Sequence, residues 1–219
     1  MKKFNRIAVA AVFLSFALFA AGCDNTKTAG ESTLALKKNG KVEQVVHDTL
    51  DQDYYSKTGL KDYIKEQVSS YEDSIRLKKL KFSRKGKVTM DLVFQDADTY
   101  RSFEGKSCFS GTVGQAMASG YDFDTDFVPI EDGESADASK ADGSGGAIGT
   151  SGNATQNVVS SDAATDTINA DVFIVEEDFI VKVPGDITFV SAEGTKVLDS
   201  HTVRVQRDDP DEVVYILYQ

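Results

Sequence analysis

"LKKLKFSRKGKVTMDLVFQ", residues 77–95, reads as two strands joined by a turn. Leu80 and Phe82 alternate with lysine and serine, Gly86 supplies the turn, and Val88, Met90, Leu92 and Phe94 fall on one side of the returning strand. Residues two apart on a strand share a face, so this hairpin has an apolar side and a polar side. A hairpin alone is marginal in water and its apolar side needs a cover. The stretch therefore predicts an α+β fold, with antiparallel β-hairpins packed against two or three helices.

The cover is written on either side. "TGLKDYIKEQVSSYEDSI", residues 58–75, repeats apolar residues at Leu60, Tyr63, Ile64, Val68, Tyr71 and Ile75, the three-and-four spacing of one helical face. Lys61, Lys65, Glu66 and Glu72 take the other face, and Thr58 is placed to cap the start. Before it, "TLALKKNGKVEQVVHD" sets apolar runs around Asn39-Gly40, a turn dipeptide, which predicts strands at about 33–37 and 41–48. After the central hairpin, "DADTYRSFEG" offers Asp96 as a cap, Ala97, Tyr100 and Phe103 as a stripe, and Gly105 as a stop. A further short helix is predicted at about 112–118, closed by Gly120.

From about residue 130 the pattern stops. Residues 129–170 are mostly Gly, Ser, Ala, Thr and Asp with little to bury, so ordering them has no compensation; they read as a disordered acidic linker. Residues 171–219 then give four or five short β-type segments, with turns at Pro184-Gly185, Glu193-Gly194 and Asp209-Pro210. A segment of about 50 residues without disulfide or metal seldom builds its own core, so it is expected to dock on residues 33–128.

The formal charge is −11. It is unevenly spread: Asp122 to Asp178 carry fourteen acids against one lysine, whereas residues 32–121 carry twelve acids and fifteen bases. An acidic chain argues against nucleic acid, whose phosphates require a basic face. The basic excess of the first region tolerates an anionic membrane surface. There are two cysteines, Cys23 and Cys108, so no disulfide framework is expected, and Cys108 reads as a small buried hydrophobe.

No catalytic, cofactor-binding or metal constellation is predicted. His47 falls at a strand end and His201 in a turn, with no acid or nucleophile patterned around either. "GSGGAIGTSG" lacks the lysine of a phosphate loop, and "GTVGQAMASG" lacks the preceding strand that dinucleotide binding requires. Asp122, Asp124 and Asp126 alternate, as carboxylates gathering around calcium can, but Phe127 stands where such loops place glycine. In an extended strand the same alternation sends the three acids to solvent and Phe123 and Thr125 to the other face. Tyr54-Tyr55 could line a surface cleft or pack under the helix that follows.

The first residues give an address. Lys2, Lys3 and Arg6 precede an apolar run, Ile7 to Phe19, broken only by Ser15, and then Ala20-Ala21-Gly22-Cys23. The run is shorter than the roughly 20 apolar residues of a membrane span and has the layout of a secretory signal peptide. Its end resembles the lipobox of bacterial lipoproteins, although Ala20 stands where that family usually has Leu, Val or Ile. The resemblance implies removal of residues 1–22, a lipid on the sulfur of Cys23, and a flexible tether over residues 23–32. It also implies a place on the extracytoplasmic face of the cell membrane. Asp24 resembles an inner-membrane retention signal if the host has two membranes. "STLALKKNGKVEQVVHD", "KDYIKEQVSSYE" and "GTVGQAMASGYDFDTDF" are similar to stretches of uncharacterised lipoproteins of Gram-positive anaerobes, a likeness that carries no activity. Two functional expectations follow. One is a non-catalytic binding or structural module of the cell envelope, its partners the membrane and a protein or cell-wall ligand. The other is a carboxylate-dependent enzyme acting on envelope material, which requires two acids converging in a cleft.

Overall fold

A computed structural model describes residues 30–50, 56–83, 86–130 and 168–219. The signal segment, Cys23, Tyr54-Tyr55, the turn residues 84 and 85, the "GSGGAIGTSG" stretch and most of the acidic linker lie outside the described residues. Among those described the fold is mixed, mostly β with some helices: twelve strands in two sheets and three α-helices.

The chain opens with the hairpin β1 (Thr33–Leu36) and β2 (Val42–Thr49), joined through Gly40 at a φ of 77°. Helix α1 (Lys57–Ser69) follows. Its cap is Ser56, whose hydroxyl accepts from the Gly59 amide at 3.1 Å, and not Thr58 as predicted. The helix also ends earlier than the spacing predicts. The hydroxyls of Ser69 and Ser70 bond back to the Glu66 and Gln67 carbonyls, and a 3-10 turn over Glu72–Ser74 reverses the chain with Glu72 left-handed. Ile75, assigned by periodicity to the helix, is instead the first residue of β3 (Ile75–Phe82), which pairs antiparallel with β4 (Lys87–Phe94).

Helix α2 (Ala97–Glu104) has the predicted ends: Asp96 accepts from the Thr99 amide at 2.7 Å, and Gly105, at a φ of 71°, returns its N–H to the Arg101 carbonyl. Strand β5 (Cys108–Thr112) was not foreseen; it runs directly into α3 (Val113–Ala118). A reciprocal cap holds that junction, with Thr112 Oγ1 accepting from the Gln115 amide and Gln115 Oε1 accepting from the Thr112 amide. A three-residue strand, β6 (Phe127–Pro129), closes the first region.

Residues 171–219 form six strands where four or five were expected: β7 (Asp171–Val175), β8 (Ile180–Lys182), β9 (Ile187–Ser191), β10 (Thr195–Asp199), β11 (Thr202–Val205) and β12 (Val214–Tyr218). They divide between the sheets. The seven-stranded sheet has the order β10-β11-β8-β1-β2-β4-β3, antiparallel except where β8 lies parallel to β1. The five-stranded sheet has the order β5-β7-β12-β9-β6 and is antiparallel throughout.

One core joins the two sheets. Leu34, Leu36, Val42, Met90, Leu92 and Phe94 on the inner face of the seven-stranded sheet cluster with Ile64 of α1 and Ala97 and Tyr100 of α2. Phe173, Val175, Val190 and Ile216 of the five-stranded sheet belong to the same cluster. The opposite face of the five-stranded sheet is also buried. Val172, Ile174, Tyr215 and Leu217 there pack under Val113 and Ala116 of α3 and under Phe123.

A buried polar cluster as candidate functional site

On β2 the inward positions are Val42, Gln44 and Val46, so Gln44 occupies a core position between Leu34 of β1 and Leu92 of β4. A carboxamide there costs free energy unless it is hydrogen-bonded. Gln44 Nε2 donates to the hydroxyl of Tyr100 at 3.4 Å and acts electrostatically on Glu104, the last residue of α2, while Gln44 Oε1 is buried without a hydrogen-bond partner among the described residues. Tyr100 is fully buried and meets Phe94 edge-on, with ring centroids 5.0 Å apart. Its hydroxyl in turn donates to Glu177 Oε1 at 3.5 Å, from the turn between β7 and β8.

Residues 44, 100, 104 and 177 thus meet where α2 and the β7–β8 turn close over the central strands. A neighbouring ion pair fixes that turn. Lys106 Nζ lies 2.9 Å from Glu176 Oε1, and the Ser107 amide donates to Glu176 Oε2 at 2.8 Å.

The electrostatics of the two adjacent glutamates diverge. Burial raises the Glu176 carboxyl, but its bonds to Lys106 and to Ser107 outweigh that and hold it below the ordinary value. Burial pushes Glu177 up to about 7, the nearby Glu104 carboxylate adds to this, and Lys106 and Arg207 only partly offset it. Glu104 is raised by burial as well, against a smaller opposing effect of the Gln44 amide. Burial, then the charge of Glu177, raises the Tyr100 phenol far out of the physiological range. The cluster is therefore a pair of carboxyls that hold protons more tightly than solvent-exposed glutamates do, gathered about the Tyr100 phenol and the Gln44 amide. Chemically, such a set can store and pass a proton.

Two shallow surface depressions, of about 520 and 420 Å³, lie away from the cluster. The first is lined by Asp171, Thr188, Phe189 and Tyr218, the second by Phe109, Gln115 and Ser119.

The positions singled out from sequence fall as follows. Cys108 is fully buried on β5, and burial pushes its thiol far above the ordinary value, so it is a core residue. His47 is exposed on β2 beside Thr89 Oγ1, and His201 is exposed in the turn before β11, 2.7 Å from Ser200 Oγ and 3.6 Å from Asp186. Asp122, Asp124 and Asp126 are exposed in a bent segment rather than a strand, while Phe123 between them is buried against Tyr215. Asp122 Oδ1 accepts from the Asp124 amide, and among the described residues no group of three or more His, Cys, Asp or Glu is placed to hold a metal ion. The Gly111–Gly120 stretch does follow a strand, contrary to the sequence reading. That strand is antiparallel to β7 and the helix after it has six residues, so the parallel strand–helix–strand unit of a dinucleotide site is not formed.

The polar cluster itself was missed. Its one legible signal was Gln44, a polar residue on the apolar parity of β2; Tyr100, Glu104 and Glu177 come from sites too distant in sequence to announce their meeting. No helix among the described residues is long and apolar enough to cross a membrane. No protein family, curated protein or solved structure matches this chain.

Proposed function

We propose that this protein is a lipid-anchored extracytoplasmic module of the cell envelope, non-catalytic, with an α+β body that binds or supports another envelope component. The observation that carries the reading is the run of Lys2, Lys3 and Arg6, Ile7 to Phe19, and Ala20-Ala21-Gly22-Cys23, which resembles a lipobox. Each methylene buried in a bilayer is worth about 0.8 kcal/mol, so two or three acyl chains on Cys23 hold the protein firmly. The body supports this reading by its position: β1 starts at Thr33, ten residues after Cys23. Intact-mass measurement of the native protein tests it. The expected species begins at Cys23 and carries a diacylglycerol; a bare sulfur, or residues 1–22 still attached, overturns the proposal.

A second reading, a carboxylate-dependent enzyme acting on envelope material, is favoured by the meeting of Glu104 and Glu177 about Tyr100 and Gln44. It predicts that Glu177→Gln abolishes hydrolysis of isolated envelope polymer by the purified protein. Absence of hydrolysis by the unaltered protein removes this reading and leaves the first intact.

A further inference from the structure

The polar face of the seven-stranded sheet is basic at one end, and that end is where the chain arrives from the proposed lipid. Towards that end the outward positions of β3 and β4 include Lys79, Lys81 and Lys87, paired across the sheet with Asp91, Thr89 and Thr49 respectively, whereas Arg76, paired with Val93, lies at the other end, level with Glu43. Further from the tip, Glu43 bonds both Lys37 and Lys78, and Asp91 lies 3.8 Å from Lys78. Those carboxylates are thereby engaged. Among the described residues no ion pair engages Lys81 or Lys87, Lys79 has only the more distant attraction of Asp91 opposite it, and the exposed side chains of β3 leave this edge of the sheet charged.

Register places this face relative to the anchor. Thr33, at the start of β1, pairs with Val45, so β2 runs on for four residues beyond the point where β1 begins, and β4 accompanies it as far as Lys87 opposite Thr49. At about 3.3 Å per residue, the three strands β2, β4 and β3 project roughly 13 Å past the start of β1 on the side from which the chain enters. The Ser32 hydroxyl accepts from the His47 amide at 3.0 Å, tying the incoming chain to the base of that projection. Nine residues separate Cys23 from Thr33, and the ten steps between them span at most about 35 Å.

We infer that this outward face, formed by Lys79, Lys81 and Lys87, docks on the anionic lipid headgroups of the membrane that holds the anchor. The inference rests on lipidation at Cys23, which keeps the face within reach of the bilayer. Lipid headgroups are the occupant because the face is an exposed polar sheet surface whose lysines are in no ion pair among the described residues, matching a surface of anionic headgroups in charge. Each lysine at an anionic membrane surface contributes about 1 kcal/mol, so the three together favour contact once the tether holds the face near the bilayer.

The test uses the full native protein, reconstituted on vesicles of neutral phosphatidylcholine or of the same lipid with a third phosphatidylglycerol, at low salt. Amine acylation of each lysine is followed by mass spectrometry. Lys79, Lys81 and Lys87 are expected to react about fivefold more slowly on the anionic vesicles than on the neutral ones, with the difference lost at high salt. Lys61 and Lys65, exposed on α1 across the sheet, should react equally on both. Equal rates at Lys79 and Lys81 on the two vesicle types, or protection shared by Lys61 and Lys65, overturn the docking face; protection that appears on neutral vesicles and grows with protein concentration assigns the face to a second protein copy instead. Failure of the anchor is read separately, since a protein without lipid does not float with neutral vesicles at all.

Discussion

The two sheets solve the same problem in opposite ways. The seven-stranded sheet buries one face, and its central strands alternate: on β4 the even positions Val88, Met90, Leu92 and Phe94 are buried and the odd positions are not. The five-stranded sheet buries both faces, and its central strand β12 is buried at every residue from Val214 to Tyr218. Antiparallel sheets commonly keep one face wet, so the second arrangement requires an extra cover. Here α3 and the segment carrying Phe123 supply it. The difference shows why the C-terminal strands are so apolar for their length. They contribute three strands to each sheet, and those in the five-stranded sheet must satisfy two cores at once.

The largest test of this contrast is a deletion in the shared core. Phe173 is fully buried on β7, between Ser110 of β5 and Ile216 of β12. Phe173→Ala should lower stability by about 3 to 5 kcal/mol in urea denaturation. A loss below about 1 kcal/mol would mean that the two sheets do not share a packed interior. A matched pair of valines sharpens the point. Val172, fully buried on the far face of the five-stranded sheet, should cost about 2 kcal/mol on substitution by alanine, from two methyl groups and the cavity they leave. Val93, half-buried on the outward face of β4, should cost less than about 1 kcal/mol. Equal losses would show that the outer face of the five-stranded sheet is not truly covered.

The junction between the sheets gives a pH signature. The Glu177 carboxyl is raised to about 7 in the folded protein from an unfolded value of 4.5, first by burial and then by Glu104. A raised carboxyl favours the folded state while it is protonated in both states, so this contribution is full below about pH 4.5 and is lost as pH rises through 7. Glu177→Gln stays neutral and should be more stable than the native sequence at pH 8, by on the order of 1 to 2 kcal/mol, with little difference at pH 4. Thermal denaturation across that range measures it. If the two proteins keep parallel stability profiles from pH 4 to 8, Glu177 is solvated and the cluster is not a proton-holding site.

The same contrast explains what could be read from the chain beforehand. Alternation and caps are local, and where one face is wet they were legible: Leu80 and Phe82 on β3, Val88 to Phe94 on β4, Asp96 and Gly105 around α2. Where burial is two-sided or a strand is short, the periodic signal vanishes. Strand β5, with Ser110 and Gly111 in its middle, and β6, ending in Pro129, carry no alternation of their own and exist because β7 and β9 supply partners. The parallel meeting of β1 and β8 joins residues almost 150 positions apart, and no local pattern encodes it. The polar cluster is illegible for the same reason. Glu104 and Glu177 look like ordinary surface glutamates until α2 and the β7–β8 turn bring them against Gln44 and Tyr100.

The smallest test concerns the cover itself. Helix α3 has six residues, too few to hold its shape without help, since the first turn of a helix fixes several dihedrals for one hydrogen bond. The help is local: Thr112 and Gln115 bond reciprocally across the helix start, and the Gly114 amide donates to the Ile168 carbonyl at 3.0 Å. Thr112→Ala removes one half of the reciprocal cap and should cost about 1 kcal/mol, whereas Thr112→Ser should restore most of it. The location of the effect matters more than its size. Loosening α3 uncovers Val172 and Ile174 but leaves the inner core intact, so amide exchange should quicken in α3 and along β5 and stay slow on β2 and β4. Uniform quickening across both sheets would show that the cover and the shared core open together, and that the five-stranded sheet has no separately stabilised outer face.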